Sequence, residues 1–217
     1  MDYNIHTVVT QKTAGHAAEI YNYYKEQGWK YQQYIACLDP LGEDRGKTPY
    51  ALNPEQYGMF LTELFNLWYE DWKKGEQPYI RQFENYIGIL LGYQPESCEQ
   101  RGSCGIQNVV EADGSVYPCD FYALDEYKLG NFNCNRLEEI DKKRKEIAFV
   151  EQSQIVAENC KNCKFYKICK GGCRRNKDFN AMNGEYENYF CKSYRIFFDI
   201  CLERMIQIVE IIKKQKG

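Results

Sequence analysis

The chain has 217 residues, 44% hydrophobic and 15% aromatic, enough to bury a core in one or two domains. No run approaches the roughly 18 apolar residues of a membrane span, and Met1 to Asn4 show neither the basic start nor the apolar stretch of an export signal, so a cytoplasmic protein is expected. The net charge of −3 argues against a nucleic-acid partner, and eleven cysteines, an odd number without an export signal, argue against a disulfide framework.

Residues Ile5 to Thr10 favour β structure, and Ala17, Ile20, Tyr21 and Tyr24 then recur at helical spacing until Gly28. A second strand is predicted from Tyr31 to Leu38, ending at Asp39-Pro40. A polar loop leads to Asn53-Pro54, a capping residue with proline at the first helical position. The helix that starts there carries Tyr57, Phe60, Leu61, Leu64, Phe65, Trp68 and Trp72 on one face and stops at Lys73-Lys74-Gly75. Tyr79 to Phe83 reads as a third short strand and Tyr86 to Leu91 as an apolar helix. Strand and helix alternate as in parallel α/β units, but only two to three are present. That number closes neither an eight-fold barrel nor a doubly wound sheet, so an open sheet edge is expected.

After Gly92 the pattern changes. Cys98 and Cys104 precede a predicted hairpin, Ile106 to Val110 and Val116 to Pro118, with Asp113-Gly114 as its turn and Cys119 at its end. Asn135 is placed to cap a charged helix bearing Leu137, Ile140 and Ile147. From Tyr194 a last helix carries Phe197, Phe198, Cys201, Met205, Val209 and Ile212 on one face, which makes Cys201 a buried small residue. Cys37 and Cys134 have no assigned role.

Between these helices lies Cys160-x2-Cys163-x5-Cys169-x3-Cys173, four thiols within fourteen residues, which is metal-ligand spacing. With Cys98, Cys104, Cys119 and Cys191 there are eight thiols, enough for two sites of four. Structural zinc and iron-sulfur clusters both use thiolates. Zinc ribbons usually pair two similar C-x2-C knuckles or add histidine, whereas this chain has one such knuckle and only the remote His6 and His16. Lys161, Lys164, Lys167, Lys170, Arg174, Arg175 and Lys177 surround the array, as an anionic cluster would favour, and Gly171-Gly172 lets backbone amides approach sulfur.

These residues resemble the cysteine-rich SPASM domain of radical S-adenosyl-L-methionine enzymes, and among those the anaerobic sulfatase-maturating enzymes. The likeness rests on Cys104-x9-Gly114-x4-Cys119, the array and Cys191, with Cys98 as an extra thiol. It continues upstream through Cys37-Leu38-Asp39-Pro40-Leu41 and Leu67-Trp68-Tyr69-Glu70-Asp71. The resemblance implies an α/β part, a partial (β/α) barrel over 1–94, followed by an α+β SPASM domain over 95–217 with a β-hairpin and a C-terminal helix. It also implies two auxiliary 4Fe-4S clusters, one on Cys98, Cys104, Cys119 and Cys173, the other on Cys160, Cys163, Cys169 and Cys191. Asp120 would be the catalytic base and Leu38 a contact to S-adenosyl-L-methionine. The implied reaction oxidises a cysteine or serine of a sulfatase polypeptide to formylglycine, with a flavodoxin or ferredoxin as electron donor.

The family's C-x3-C-x2-C motif, which holds a third 4Fe-4S cluster, has no counterpart in these residues. The chain is therefore expected to be inactive alone and to work with a missing N-terminal radical half, as a fragment, a split protein or a degenerate relative. Two further readings stay open: a stand-alone iron-sulfur electron-transfer or peptide-recognition module, and the SPASM half of another peptide-modifying enzyme. Whether a cysteine or a serine is oxidised is not decided by these residues.

Overall fold

In the computed structural model, which describes residues 3–182 and 184–216, three parallel strands form the first layer. Met1 and Asp2, on which part of the export-signal reading rests, lie outside the described residues. Strand β1 (Asn4–Val9) pairs with β2 (Tyr31–Ala36), Asn4 opposite Tyr31 and Val9 opposite Ala36. Helix α1 (Ala17–Glu26) makes the crossover between them, as parallel neighbours require. Helix α2 (Pro54–Trp72) then leads to the two-residue β3 (Tyr79–Ile80), which pairs with the other side of β2. Among the described residues β1 has β2 as its only neighbour, so its outer edge is open.

The Asn53 side chain caps α2, accepting from the N–H groups of Glu55 at 2.9 Å and Gln56 at 3.2 Å. Strand β2 stops at Ala36 and not at the expected Leu38, because the chain there enters a loop gathered by the Asp39 carboxylate. That carboxylate accepts from the Gly46 N–H at 2.7 Å and from the Thr48 N–H and hydroxyl at 2.9 and 2.8 Å. The strand expected from Tyr79 to Phe83 is cut short as well. Helix α3 (Arg81–Leu90) begins ahead of the predicted Tyr86, because Phe83, Tyr86 and Ile87 fall on one helical face and are buried together.

The principal partner of α2 is the last helix, α9 (Cys191–Lys216), which starts at Cys191 and not at Tyr194. A Cβ on Gly58 would lie 3.0 Å from the Ser193 carbonyl oxygen, so the missing side chain lets the two helices close. Phe65, Phe83 and Phe197 meet at their centre with ring centroids 5.2 to 5.9 Å apart. Burying one such ring is worth roughly 2–3 kcal/mol. Cys201 is fully buried in this core, and Phe165 and Ile168 from the cysteine array join it. Asp71, on the same helix, accepts from the Tyr21 hydroxyl and the Lys25 ammonium, both at 2.7 Å.

The second region is built from short elements. Helix α4 (Cys98–Arg101) precedes a small antiparallel sheet of β4 (Val109–Val110), β5 (Ser115–Tyr117) and β6 (Gly130–Asn131). Asp113 makes the turn by accepting from the Ser115 N–H at 2.9 Å, with Gly114 at φ +84°. The hairpin is shorter than predicted, and Ile106 lies outside it, 74% exposed. Helix α5 (Leu137–Glu146) buries Ile140 against Val116 and Leu129, while Leu137 is exposed. Asn135 is not its cap: Arg136 holds that position, its N–H bonded to Glu139 at 2.8 Å, and the Asn135 side chain instead accepts from the Asn131 N–H.

Helices α6 (Phe149–Ser153), α7 (Glu158–Lys161) and α8 (Tyr166–Cys169) follow. A hairpin of β7 (Lys177–Asn180) and β8 (Glu185–Asn188), not foreseen from the sequence, then leads into α9. Among the described residues no helix is long and apolar enough to cross a membrane.

Candidate metal centres

Four of the eight thiols share one cavity of about 260 Å³. Cys160 comes from α7, Cys163 from the turn after it, Cys169 from the end of α8 and Cys191 from the first residue of α9. Phe165, Tyr194 and Phe198 close it with aromatic walls. Gly171 and Gly172, at φ +82° and +72°, reverse the chain beside it. A Cβ at Gly172 would collide with the Asn188 amide, which donates to the Gly171 carbonyl at 2.9 Å.

The other four converge differently. Cys98 and Cys173 line a second cavity of about 380 Å³, together with Asp120 and Leu38. Cys104 and Cys119 stand beside them: burial and then the neighbouring Cys104 push up the Cys98 thiol, while burial and then the hydrogen bond to Asp120, with Cys104 a lesser cause, push up that of Cys119, to about 12. Cys173 is raised by burial, then by Glu99, and also by Cys98 and Cys104. In the first cavity burial leads again, with Cys191 and Cys163 acting on Cys160, and Cys191 and Cys160 on Cys169, which reaches about 12. The array thus sends Cys173 to one group and its other three thiols to the second.

Thiols raised in this way stay protonated until a cation offsets their charge, so loading either site releases protons. Among the described residues no three Cys, His, Asp or Glu side chains converge closely enough to hold a single metal ion. Cys160, Cys163, Cys169 and Cys191 instead line one cavity together, as a polyatomic cluster with thiolates on different irons requires. A lone zinc ion would draw its sulfurs to about 2.3 Å from one centre. The donor sets therefore fit iron-sulfur clusters.

Asp120 opens the turn after Cys119, accepts from the Cys119 thiol at 3.1 Å, and is exposed at the wall of the larger cavity. Leu38 follows β2 and is partly buried in the same wall, beyond the carboxyl ends of the parallel strands where ligands of α/β sheets collect. Cys134, exposed near Asn131, and the core residue Cys201 belong to neither group, and Cys37 lies beside Leu38.

The basic run around the array has mostly other work. Lys161 pairs with Glu158 at 2.9 Å and Lys164 with Asp199 at 2.5 Å. Arg174 lies over the Phe149 ring, 4.5 Å from its centroid, and donates to the Phe149 carbonyl. Lys177 is half-buried, its ammonium donating to the Ser153 and Ile155 carbonyls at 2.8 and 3.0 Å; burial lowers its pKa, and thiols of both groups act against that. Sequence reasoning also missed Glu99. It sits in the wall between the cavities, accepting from the Tyr194 hydroxyl and, at 3.5 Å, from the Asn176 amide. Burial raises its carboxyl and the Tyr194 hydrogen bond lowers it. Its one visible signal was adjacency to Cys98.

Comparison with known proteins returns the same chemistry. The SPASM family, an iron-sulfur cluster-binding domain, matches residues 98–164. A cysteine-type anaerobic sulfatase-maturating enzyme of Clostridium perfringens (strain 13 / Type A) is 45% identical over 213 residues, 98% of this chain and 58% of that protein. The serine-type enzyme of Bacteroides thetaiotaomicron is 28% identical over 232 residues, 99% of this chain and 54% of that protein. A solved structure described as native anSMEcpe with bound AdoMet and Cp18Cys peptide superposes with a TM-score of 0.89 at 44% identity, covering 96% of this chain and 58% of that one. The chain thus spans less than two thirds of the length of these relatives.

Proposed function

Because the chain corresponds in sequence and fold to the C-terminal portion of anaerobic sulfatase-maturating enzymes, we propose that it supplies the auxiliary iron-sulfur centres and the base of such an enzyme. Residues 1–94 are the end of a partial (β/α) barrel and 95–217 the SPASM domain. The open edge of β1 supports this division of labour, since an N-terminal half carrying C-x3-C-x2-C would extend the sheet there. Cys98, Cys104, Cys119 and Cys173 hold one 4Fe-4S cluster, and Cys160, Cys163, Cys169 and Cys191 the other.

In the complete enzyme, S-adenosyl-L-methionine supplies the radical that removes a hydrogen from the substrate side chain. Asp120 takes the proton of the substrate thiol or hydroxyl, from its exposed position on the cavity wall. Leu38 gives the cofactor an apolar contact. The two thiol groups keep their clusters within one folded unit, so that the electron released by the substrate has a path away from the site. A sulfatase segment is the substrate, and a flavodoxin or ferredoxin the external redox partner.

The observation that carries this reading is the pairing of the two thiol groups with a carboxylate-bearing cavity at the end of a parallel sheet. The test combines the chain, reconstituted anaerobically with iron and sulfide, with an N-terminal radical half and a cysteine- or serine-containing sulfatase peptide. Formylglycine should form with both halves and with neither alone. Iron uptake for only one cluster, or full activity without this chain, would overturn the reading.

A further inference from the structure

The short helix α6 touches the chain beside three of the four thiols in the Cys98 group. Its Ser153 hydroxyl accepts the Cys104 N–H at 2.8 Å and donates to the Val150 carbonyl, and the residue is only 2% exposed. Gln154, next in the chain, donates to the Ser103 hydroxyl at 3.1 Å. Phe149 meets Tyr122, three residues after Cys119, edge to face with ring centroids 5.1 Å apart. Arg174, the residue after Cys173, donates to the Phe149 carbonyl at 2.7 Å and to the Gln152 side-chain oxygen at 2.6 Å. Lys177 holds the other end of the helix through the Ser153 and Ile155 carbonyls. Just ahead of α6, Ala148 stands in the left-handed region at φ +46°, a conformation that a residue with a Cβ keeps only where surrounding contacts impose it.

A thiol on a loose segment can still bind a cluster, but the cost of ordering that segment then falls on binding. Groups that orient a ligand beforehand remove this cost, and their loss weakens metal binding about 10–100-fold. We propose that Ser153 is a positioning residue for the cluster of Cys98, Cys104, Cys119 and Cys173. It is carried on a helix braced beside Cys119 and Cys173, and its buried hydroxyl fixes the main chain of Cys104, so that this thiol stays with its group. The inference rests on the two-cluster reading above. None of these contacts is made to Cys160, Cys163, Cys169 or Cys191, so the effect is confined to one cluster.

The test follows release of iron from the anaerobically reconstituted full chain to an excess of bathophenanthroline, in two backgrounds that each keep one cluster. Cys191→Ala leaves the Cys98-side cluster, and Cys98→Ala leaves the other. Ser153→Ala should speed release about 10-fold in the first background and leave the rate unchanged in the second. Ser153→Thr, which keeps the hydroxyl, should release iron more slowly than Ser153→Ala. Equal acceleration in both backgrounds, an unchanged rate on the Cys98 side, or a threonine variant no slower than the alanine one would overturn the proposal. If Ser153→Ala takes up no iron in the Cys191→Ala background but loads normally in the other, the proposal stands; failure to load in both overturns it, because the hydroxyl would then serve the fold at large. A Cys191→Ala chain that binds no iron with Ser153 in place would refute the two-cluster reading itself, a result seen before Ser153 is changed.

Discussion

Arg175 donates from its guanidinium to the main-chain carbonyl of Asp39, joining the segment just after Cys173 to the loop just after β2. Arg45 strengthens the same junction. It grips the Asp178 carboxylate with two nitrogens at 2.7 to 3.0 Å and donates to the Arg175 carbonyl at 2.9 Å. The wall that carries Leu38 and the turn that carries Cys173 are therefore one mechanical unit. Arg175→Met should cost about 2 kcal/mol, because it strips a buried carbonyl of its charged donor. Chemical denaturation of the loaded chain measures it, and a loss below about 0.5 kcal/mol would mean that water replaces the guanidinium freely.

The same loop makes the fold sensitive to acid. Burial alone would raise the Asp39 carboxyl, but the hydrogen bonds from Thr48 and Gly46 outweigh it and leave the carboxyl below its usual range. A carboxyl lower in the folded than the unfolded state contributes stability that is present above the unfolded value, near 3.9, and lost as pH falls through the folded value. Asp71, likewise lowered against its burial by Lys25 and Tyr21, acts in the same direction. Denaturation midpoints should drop steeply below about pH 4, and Asp39→Asn should flatten that slope while lowering stability at neutral pH.

Cysteine substitutions should divide the iron. Cys191→Ala should remove the cluster of the smaller cavity and about half of the bound iron, leaving the signal of the cluster beside Asp120. Cys98→Ala should do the converse. Cys134→Ala, outside both groups, should leave iron content unchanged. Elemental analysis with absorption spectra of anaerobically prepared variants decides it, and equal losses from Cys191→Ala and Cys134→Ala would contradict the grouping.

Asp120→Asn tests the proposed base without removing a thiol. Formylglycine formation by the complete enzyme should fall by 100-fold or more, within the range of about 10²–10⁴ for general-base catalysis, with iron content intact. Mass spectrometry of the peptide substrate is the readout, and undiminished product would exclude Asp120 from proton transfer.

At Gly58 a methyl group would be pressed to 3.0–3.1 Å from Ser193 and Ile196 of α9. Gly58→Ala should cost about 1–3 kcal/mol through overpacking, even though alanine is the better helix former by about 1 kcal/mol. A thermal melt showing stabilisation would mean that the helices move apart without penalty.

Long periodic stripes were the readable part of this fold. The faces of α2 and α9 follow directly from the spacing of Tyr57 to Trp68 and of Phe197 to Met205, because helical period and burial coincide there. Phe83 was misplaced because a short apolar run between turns fits strand and helix alike, and its packing on Phe197 decides the matter. The candidate thiols were visible because cysteine spacing is a local signal. The contacts of Glu99 with Tyr194 and of Arg175 with Asp39 join residues 95 and 136 positions apart, and no local pattern announces either. Lys161, Lys164 and Arg174 of the basic run have carboxylate, carbonyl and aromatic partners elsewhere in the chain, which no local pattern announces.

Helix α9 opens on the thiol of Cys191 and, two residues later, holds α2 through the Ser193 hydroxyl and the Pro54 carbonyl before its aromatic face enters the core. Oxidation of that exposed sulfur by air would remove a thiolate donor at the very residue from which the helix starts. Exposure to oxygen therefore bears on the architecture of the molecule along with its chemistry, because one residue serves both.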